Sequence, residues 1–97
     1  MSIHDGHRER MRERFFFEGM QHFSQHEALE LLLYYAIPRK NTNPTAHALI
    51  ERFGSLEQVL DAPMEELEKV PGITRNVATL IKLVTEMGRL YLVKRTE

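Results

Sequence analysis

The chain has 97 residues, of which 42% are hydrophobic and 28% charged, a composition typical of one globular domain with a modest core. It contains no cysteine, which excludes disulfides, thiolate metal sites and thiol nucleophiles and favours a reducing cytoplasm. The longest apolar run, residues 31–37, is far shorter than the ~20 residues that cross a bilayer, so no membrane partner is expected.

The net charge of −1 argues against a strongly nucleic-acid-binding protein, but the charges are unevenly distributed. Residues 51–68 carry six acidic side chains against one basic, whereas residues 69–95 carry six basic against one acidic. A polyanion would therefore meet the last third of the chain.

The charge-rich start of the chain predicts a first helix. This helix would begin at an Asp5 N-cap and end near Phe17, with Gly19 in the left-handed position that often closes a helix. Its basic residues are interleaved with glutamates, so we expect a solvated face made of Arg8, Arg10, Arg12 and Arg14.

A second helix is apolar nearly all round and is predicted to be central. Ser24 and Glu27 form a capping box at its start. Pro38 ends it, because the residue before a proline is pushed out of the helical region. Tyr34 and Tyr35 lie in this helix, and core packing is predicted for them in preference to stacking on bases.

Three shorter helices follow. Asn43 as N-cap and Pro44 in the first turn open the third helix, which ends at Gly54. Ser55 caps a short fourth helix, and Pro63 stands in the first turn of a fifth. Nothing alternates with a period of two, so no strand is expected.

The last helix is predicted to start at a Thr74 cap and to run for about 20 residues, to about Val93. One side carries an apolar row made of Val77, Ile81, Val84 and Tyr91, flanked by Leu80, Leu83, Met87 and Leu90. The opposite face is polar and mostly basic, with Arg75, Thr79, Lys82, Glu86 and Arg89.

The turn before this helix, Val70-Pro71-Gly72-Ile73-Thr74, has the form of a helix-hairpin-helix turn. Gly72 permits a positive φ, and because it has no Cβ another group can approach its backbone closely. Ile73 would point inward and hold the two helices together. The backbone amides of Thr74, Arg75 and Asn76 would be the unpaired donors at the helix start, a site suited to a phosphate oxygen.

Basic side chains would add to this site. Lys69 and Arg75 stand at the two ends of the turn, and Lys82 follows on the helix. The alternative is a tight interhelix corner with Thr74 as a plain N-cap, since any capped helix start offers the same amides. The commonest form of this hairpin has a second glycine where Thr74 stands, although a threonine supplies a hydroxyl that could cap the helix or reach a phosphate.

A family resemblance rests on several stretches that occur in the same order along the chain: residues 7–11, 24–33, 46–56, 70–73, Ala78 and 86–90. In these stretches the chain resembles the N-terminal helical domain of the RadC-type DNA repair protein family. The resemblance implies a compact all-α bundle of five to six helices with tandem helix-hairpin-helix elements. Within a single domain, residues 1–22 would form the N-terminal helix and linker, 24–54 a degenerate first hairpin and 55–95 the second.

The resemblance places the first turn at residues 38–42, where Arg39 and Lys40 would contribute basic charge to DNA binding. That loop lacks the glycine that a tight phosphate turn requires, so a solvated loop is expected there. Members of the family usually continue into a metal-dependent JAB-type domain with a His-x-His-Pro stretch, which this sequence lacks. The chain is therefore expected to be a fragment or a stand-alone relative, without that metalloenzyme role.

Five histidines raise the question of a metal site. His22 and His26 are four residues apart, but the cap between them puts His22 outside the helix. His4 and His7 lie in a terminus that is expected to be mobile, and His47 has no acidic neighbour in its own helix. No metal, cofactor or catalytic residue is predicted, because no triad, phosphate loop or carboxylate pair stands out.

Together these features predict a non-catalytic cytoplasmic module that contacts the DNA backbone independently of sequence, accessory to DNA repair or recombination. The alternative is a protein-interaction domain that has lost DNA binding. The acidic stretch 57–68 favours the alternative, and the basic stripe after Gly72 favours DNA. A protein partner or a missing JAB-type domain is the other expected contact.

Overall fold

The structure, a computed structural model, describes residues 3–97. Its helices are α1 (Ile3–Glu18), α2 (Gln25–Tyr34), α3 (Asn43–Phe53), α4 (Leu56–Asp61), α5 (Met64–Leu67) and α6 (Arg75–Arg95). No strand occurs in this range, so the predicted all-α fold is confirmed. None of the helices in the same range is long and apolar enough to cross a membrane.

The hydrophobic core lies between α2 and α6, with α3, α4 and α5 around it. It consists of Leu29, Leu33, Ala46, Leu49, Val59, Ala62, Leu67, Val70, Ile73, Val77, Ala78 and Ile81. A second, smaller cluster on α2 joins Leu31 and Tyr34 to Met11 of α1. The prediction that α2 is central is confirmed, because both clusters pack against it and burial of each large apolar side chain contributes about 1.5–3 kcal/mol.

Three predicted helix caps are confirmed. The Ser24 hydroxyl accepts a hydrogen bond from the Glu27 amide, and the Glu27 carboxylate accepts one from the Ser24 amide at 3.0 Å. Ser55 and Thr74 cap α4 and α6 in the same way, each at 3.3 Å. These residues satisfy amides that a helix start would otherwise leave unpaired.

Other predicted boundaries are wrong. Because α1 begins at Ile3, Asp5 lies inside the helix and is not its N-cap. The residue that precedes α3 is Thr42, which makes no side-chain cap, and Asn43 is the first helical residue. Helix α2 ends at Tyr34, several residues before Pro38, and its last turn tightens as the Ala36 amide bonds to the Leu33 carbonyl.

Arg8 does not lie on a solvated face, so the prediction for the arginines of α1 is wrong at this residue, whereas Arg10 and Arg12 are exposed as predicted. Its side chain is buried, with 7% of its surface exposed, and the guanidinium donates to the carbonyl oxygens of Tyr34, Ile37 and Lys40. The bond to Tyr34 is 3.1 Å and the bond to Lys40 is 2.6 Å. Arg8 therefore satisfies carbonyls that the end of α2 leaves free, and it ties α1 to the loop before α3.

A buried carboxylate, Glu30, lies beside this arginine anchor. Glu30 is 2% exposed and accepts hydrogen bonds from the Tyr34 hydroxyl at 3.3 Å and from Asn43 Nδ2 at 3.2 Å. His7 Nε2 lies 3.2 Å from the same carboxylate, so His7 lies in α1 against α2. Burial, and then the negative charge of Glu30, raise the pKa of Tyr34 to about 12.

The two tyrosines of α2 have different environments. Tyr34 is buried, as predicted, whereas Tyr35 is 69% exposed and its predicted core position is wrong. Tyr35 is the C-cap of α2 and keeps helical backbone angles, φ −81° and ψ −11°. Its side chain belongs to neither apolar cluster of the described residues.

The predicted apolar row of α6 is buried only in its first half. Val77, Ala78, Ile81 and Thr85 are buried, while the apolar side chains beyond Ile81 are exposed. Helix α4 is short, and its end is reached by the Thr85 hydroxyl, which donates to the Leu60 carbonyl at 2.6 Å. The second half of α6 extends past this contact.

Candidate nucleic-acid interface

The turn between α5 and α6 is a β-turn. The Ile73 amide donates to the Val70 carbonyl at 3.0 Å, with Pro71 and Gly72 as the two central residues. Gly72 has φ +90°, which is the conformation that the third residue of a type II turn requires. Val70 and Ile73 are buried in the core, while Pro71 and Gly72 are exposed. The core thus fixes the two ends of the turn and leaves its tip open to a ligand.

The start of α6 offers free donors beside this tip. The Thr74 hydroxyl accepts from the Val77 amide, which is the third amide of the helix. The amides of Arg75 and Asn76 have no acceptor within residues 3–97, and both residues are exposed. These two amides lie at the positive end of the helix dipole, an arrangement that favours an anionic acceptor.

The loop between α2 and α3 shares one backbone feature with this turn. Arg39 follows Pro38 as Gly72 follows Pro71, and Arg39 also has a positive φ, +64°. A positive φ is uncommon for a residue with a side chain, and the preceding proline is the only sequence feature that indicates a turn here. Residues 38–41 are exposed, as expected for a solvated loop, and the chain turns within them. Arg39 and Lys40 are exposed at its surface, and the Lys40 carbonyl is bound by Arg8.

The tip of the α5–α6 turn lies close to the first turn of α3. A Cβ built on Gly72 would be 3.6 Å from Oγ1 of Thr45, which stands in the first turn of α3. The start of α3 offers fewer donors than α6, because the Asn43 amide is bound by Asn41 Oδ1 at 3.1 Å and Pro44 has no amide hydrogen. Thr45 was not among the predicted site residues, since its proximity depends on the tertiary fold.

The predicted basic residues do not all lie at the turn. Lys69 Nζ is 2.6 Å from Glu66 Oε2, and Arg75 Nε is 3.7 Å from Glu68 Oε1, so acidic partners offset both charges. The ion pair with Lys69 lowers the pKa of Glu66. Lys82 is directed to α4, where Nζ donates to the Leu60 carbonyl at 3.1 Å. The positive potential at the turn is therefore weaker than the sequence indicates.

The histidines whose side chains are described lie apart from one another, except for one stacked pair. Among the described side chains, no group of three or more histidine, aspartate or glutamate residues is arranged to hold an ion. His26 and His47 stack on each other with ring centroids 4.2 Å apart, a contact between α2 and α3 that the sequence did not indicate. His4 lies outside the described side chains.

Comparison with known proteins identifies related chains. A family model described as UPF0758 N-terminal matches residues 5–79. A UPF0758 protein of Fusobacterium nucleatum is 46% identical over 82 residues, which cover 84% of this chain and 35% of the relative. A UPF0758 protein of Ruegeria pomeroyi is 41% identical over 78 residues, which cover 80% of this chain and 35% of the relative. The chain thus spans about a third of the length of these relatives, and no solved structure matches it.

Proposed function

The chain belongs to the UPF0758 N-terminal family, the N-terminal region of RadC-type proteins, and from this premise we propose that it is a non-catalytic module that binds the DNA backbone independently of sequence. In this proposal the module acts in the cytoplasm, accessory to DNA repair or recombination. The tandem arrangement of two hairpins is part of the same proposal, supported by the two turns in which a proline precedes a residue of positive φ.

The observation that carries the proposal is the open tip of the α5–α6 turn. Gly72 has no side chain, and the exposed amides of Arg75 and Asn76 stand beside it at the positive end of a 21-residue helix. A phosphate oxygen can approach such a surface without displacing an intramolecular acceptor. Contacts to backbone phosphates position a protein on DNA and carry no sequence information, so binding should be sequence-independent.

Binding by the isolated chain should be weak. Of the basic residues predicted for the site, Lys69 and Arg75 remain at the turn, and Arg39 and Lys40 stand at the neighbouring one. Lys82 is engaged with α4 and is not counted. We expect about two or three phosphate contacts and hence a log-log salt slope of roughly −2 to −3 on duplex DNA.

The sharpest test is Asn76→Glu. An acidic residue in the first turn of a helix interacts favourably with the helix dipole, so the variant should remain folded. Its carboxylate would stand at the proposed phosphate position and repel DNA. Fluorescence anisotropy against duplex, single-stranded and junction DNA at several salt concentrations should show an affinity loss of about tenfold or more for all sequences alike, equivalent to about 1.4 kcal/mol.

The matched control is Gln21→Glu, which changes the net charge equally on an exposed residue of the loop before α2. This variant should bind DNA nearly as well as the wild type. Equal losses in both variants would indicate a general charge effect. The proposal is wrong if the wild type binds none of the three DNA forms at low salt, or if folded Asn76→Glu binds like the wild type. In either case the turn only connects α5 to α6 and does not bind DNA.

A second candidate is a protein-interaction domain. The exposed apolar side chains on the second half of α6 favour it, together with the acidic segment that includes α4 and α5. This function would replace DNA binding if the anisotropy measurements are negative.

A further inference from the structure

The second half of α6 carries an unusual amount of exposed apolar surface. Its exposed apolar side chains are Leu83, Val84, Met87, Leu90, Tyr91, Leu92 and Val93. Leu83, Met87 and Leu90 recur with a spacing of four and three, which places them along one side of the helix. Single exposed apolar residues are ordinary, but a contiguous patch of this kind on a small domain marks an interaction surface.

An apolar groove runs beside this part of α6. Three adjoining cavities of about 470, 210 and 200 Å³ form it. The first and second share Leu60 and Val84, and the second and third share Met20, Ala28 and Leu32. We call this continuous surface the α2–α6 groove. Its lining comes from α2, α4 and α6, from the last turn of α1 and from Met20 after it, so an added helix would contact several elements at once.

Gly88 lies in the wall of the α2–α6 groove, in the middle of α6. A Cβ built there would meet no described atom within 4 Å outside the backbone of its own helix turn. Glycine inside a helix costs roughly 1 kcal/mol relative to alanine. Nothing within the monomer requires glycine at this position, whereas a second helix that packs closely against α6 would do so.

We propose that the second half of α6 from one copy of the chain occupies the α2–α6 groove of a second copy, and the reverse, in a two-fold symmetric dimer. The exposed apolar half of α6 and the α2–α6 groove belong to the same chain and meet at Val84. A two-fold symmetric contact therefore buries the α6 half and the groove of each copy at the same time. This inference does not depend on DNA binding and goes beyond it.

Charge complementarity selects a second copy as the occupant. The rim of the groove on α4 carries Glu57 and Asp61, and Asp61 is paired with Arg89 of the same chain at 3.2 Å. Beyond Leu83, α6 carries Arg89, Lys94 and Arg95 against one acidic residue, Glu86, and Lys94 is paired with Glu97. A basic apolar helix entering a groove with an acidic rim gains favourable long-range electrostatics as well as apolar burial.

The test is the oligomeric state of the chain. Sedimentation velocity between about 5 and 500 μM, where dimers of micromolar affinity are populated, should show a shift from 11.4 kDa towards twice that mass. Met87→Glu places a charge at a side chain that is 62% exposed in the monomer, so it should leave the fold intact. It should weaken dimerisation by about tenfold or more, as expected for a central interface residue.

Gly88→Leu provides a test in which stability and association move in opposite directions. Leucine favours a helix over glycine and has room in the monomer, so the melting temperature should rise. The side chain would fill the groove, so the dimer should weaken by about tenfold or more. Phe17→Glu is the matched control, because Phe17 is 77% exposed on α1 and does not line the groove, and its dimerisation should equal that of the wild type.

A chain that remains monomeric across the whole concentration range would overturn the proposal, and so would Met87→Glu and Gly88→Leu variants that dimerise like the wild type. A dimer weakened equally by Phe17→Glu would place the interface on α1 instead of α6. That result would also contradict the proposed contact.

Discussion

Among the single residues, Arg8 has the largest expected effect on stability outside the apolar core. Arg8→Met keeps the length of the side chain but removes its three hydrogen bonds to carbonyls at the end of α2 and in the following loop. Carbonyls left buried without a partner are costly, so we expect a loss of about 2–4 kcal/mol in the free energy of unfolding, measured with urea. Arg12→Met, at an exposed position of α1, is the control. Equal effects of the two variants would refute this role of Arg8.

Glu27 should make stability depend on pH. The hydrogen bond from Arg14, and then that from the Ser24 amide, lower the pKa of Glu27 from 4.5 to about 2 in the folded state. A carboxylate with a lowered pKa stabilises the folded state above its unfolded pKa, and this contribution is lost as the pH falls from about 4.5 towards 2.

Glu27→Gln should therefore be less stable than the wild type by about 1 kcal/mol at pH 7, a figure reduced for solvent screening of a partly exposed pair. The difference should shrink towards zero near pH 2. Chemical denaturation at both pH values measures it, with Glu51→Gln as an exposed control. A difference that is the same at both pH values would mean that the charge of Glu27 is not responsible.

At the scale of elements, α1 is an attachment to the core and not a part of it. None of its described side chains belongs to the larger cluster, and it is held to α2 by Arg8, Met11 and the pair Arg14–Glu27. A chain of residues 19–97 should therefore still fold cooperatively and remain helical, with a free energy of unfolding lower by about 3 kcal/mol. Circular dichroism and urea denaturation test this. An unfolded product would show that α1 belongs to the cooperative core.

The elements also show what the sequence can predict. The caps at Ser24, Ser55 and Thr74 could be predicted because each hydroxyl bonds an amide three residues away. The role of Arg8 could not, because its partner Tyr34 is 26 residues distant and local spacing of charges indicates a solvated helix face. The left-handed turn at Arg39 was missed because glycine is the usual signal for that conformation.

At the scale of the whole molecule, helical periodicity was sufficient for the fold class but not for the surfaces. The spacing in α6 indicates an apolar face, yet which part of that face is covered depends on where α4 ends in three dimensions. The basic residues of the candidate site also show that sequence position alone does not determine which surface a side chain reaches. Lys82 belongs by sequence to a basic stripe, whereas in the fold it bonds to the end of α4.

The length of α6 has a consequence for how the molecule could hold DNA. Its 21 residues correspond to roughly 30 Å, so the turn at Gly72 and the exposed apolar half lie towards opposite ends of one rigid rod. A dimer joined through the apolar halves would carry two copies of the turn that we propose to bind DNA, at a fixed separation. The second turn would then bind at a high effective concentration once the first is engaged. Two individually weak contacts would give avidity for DNA that offers both sites at that spacing.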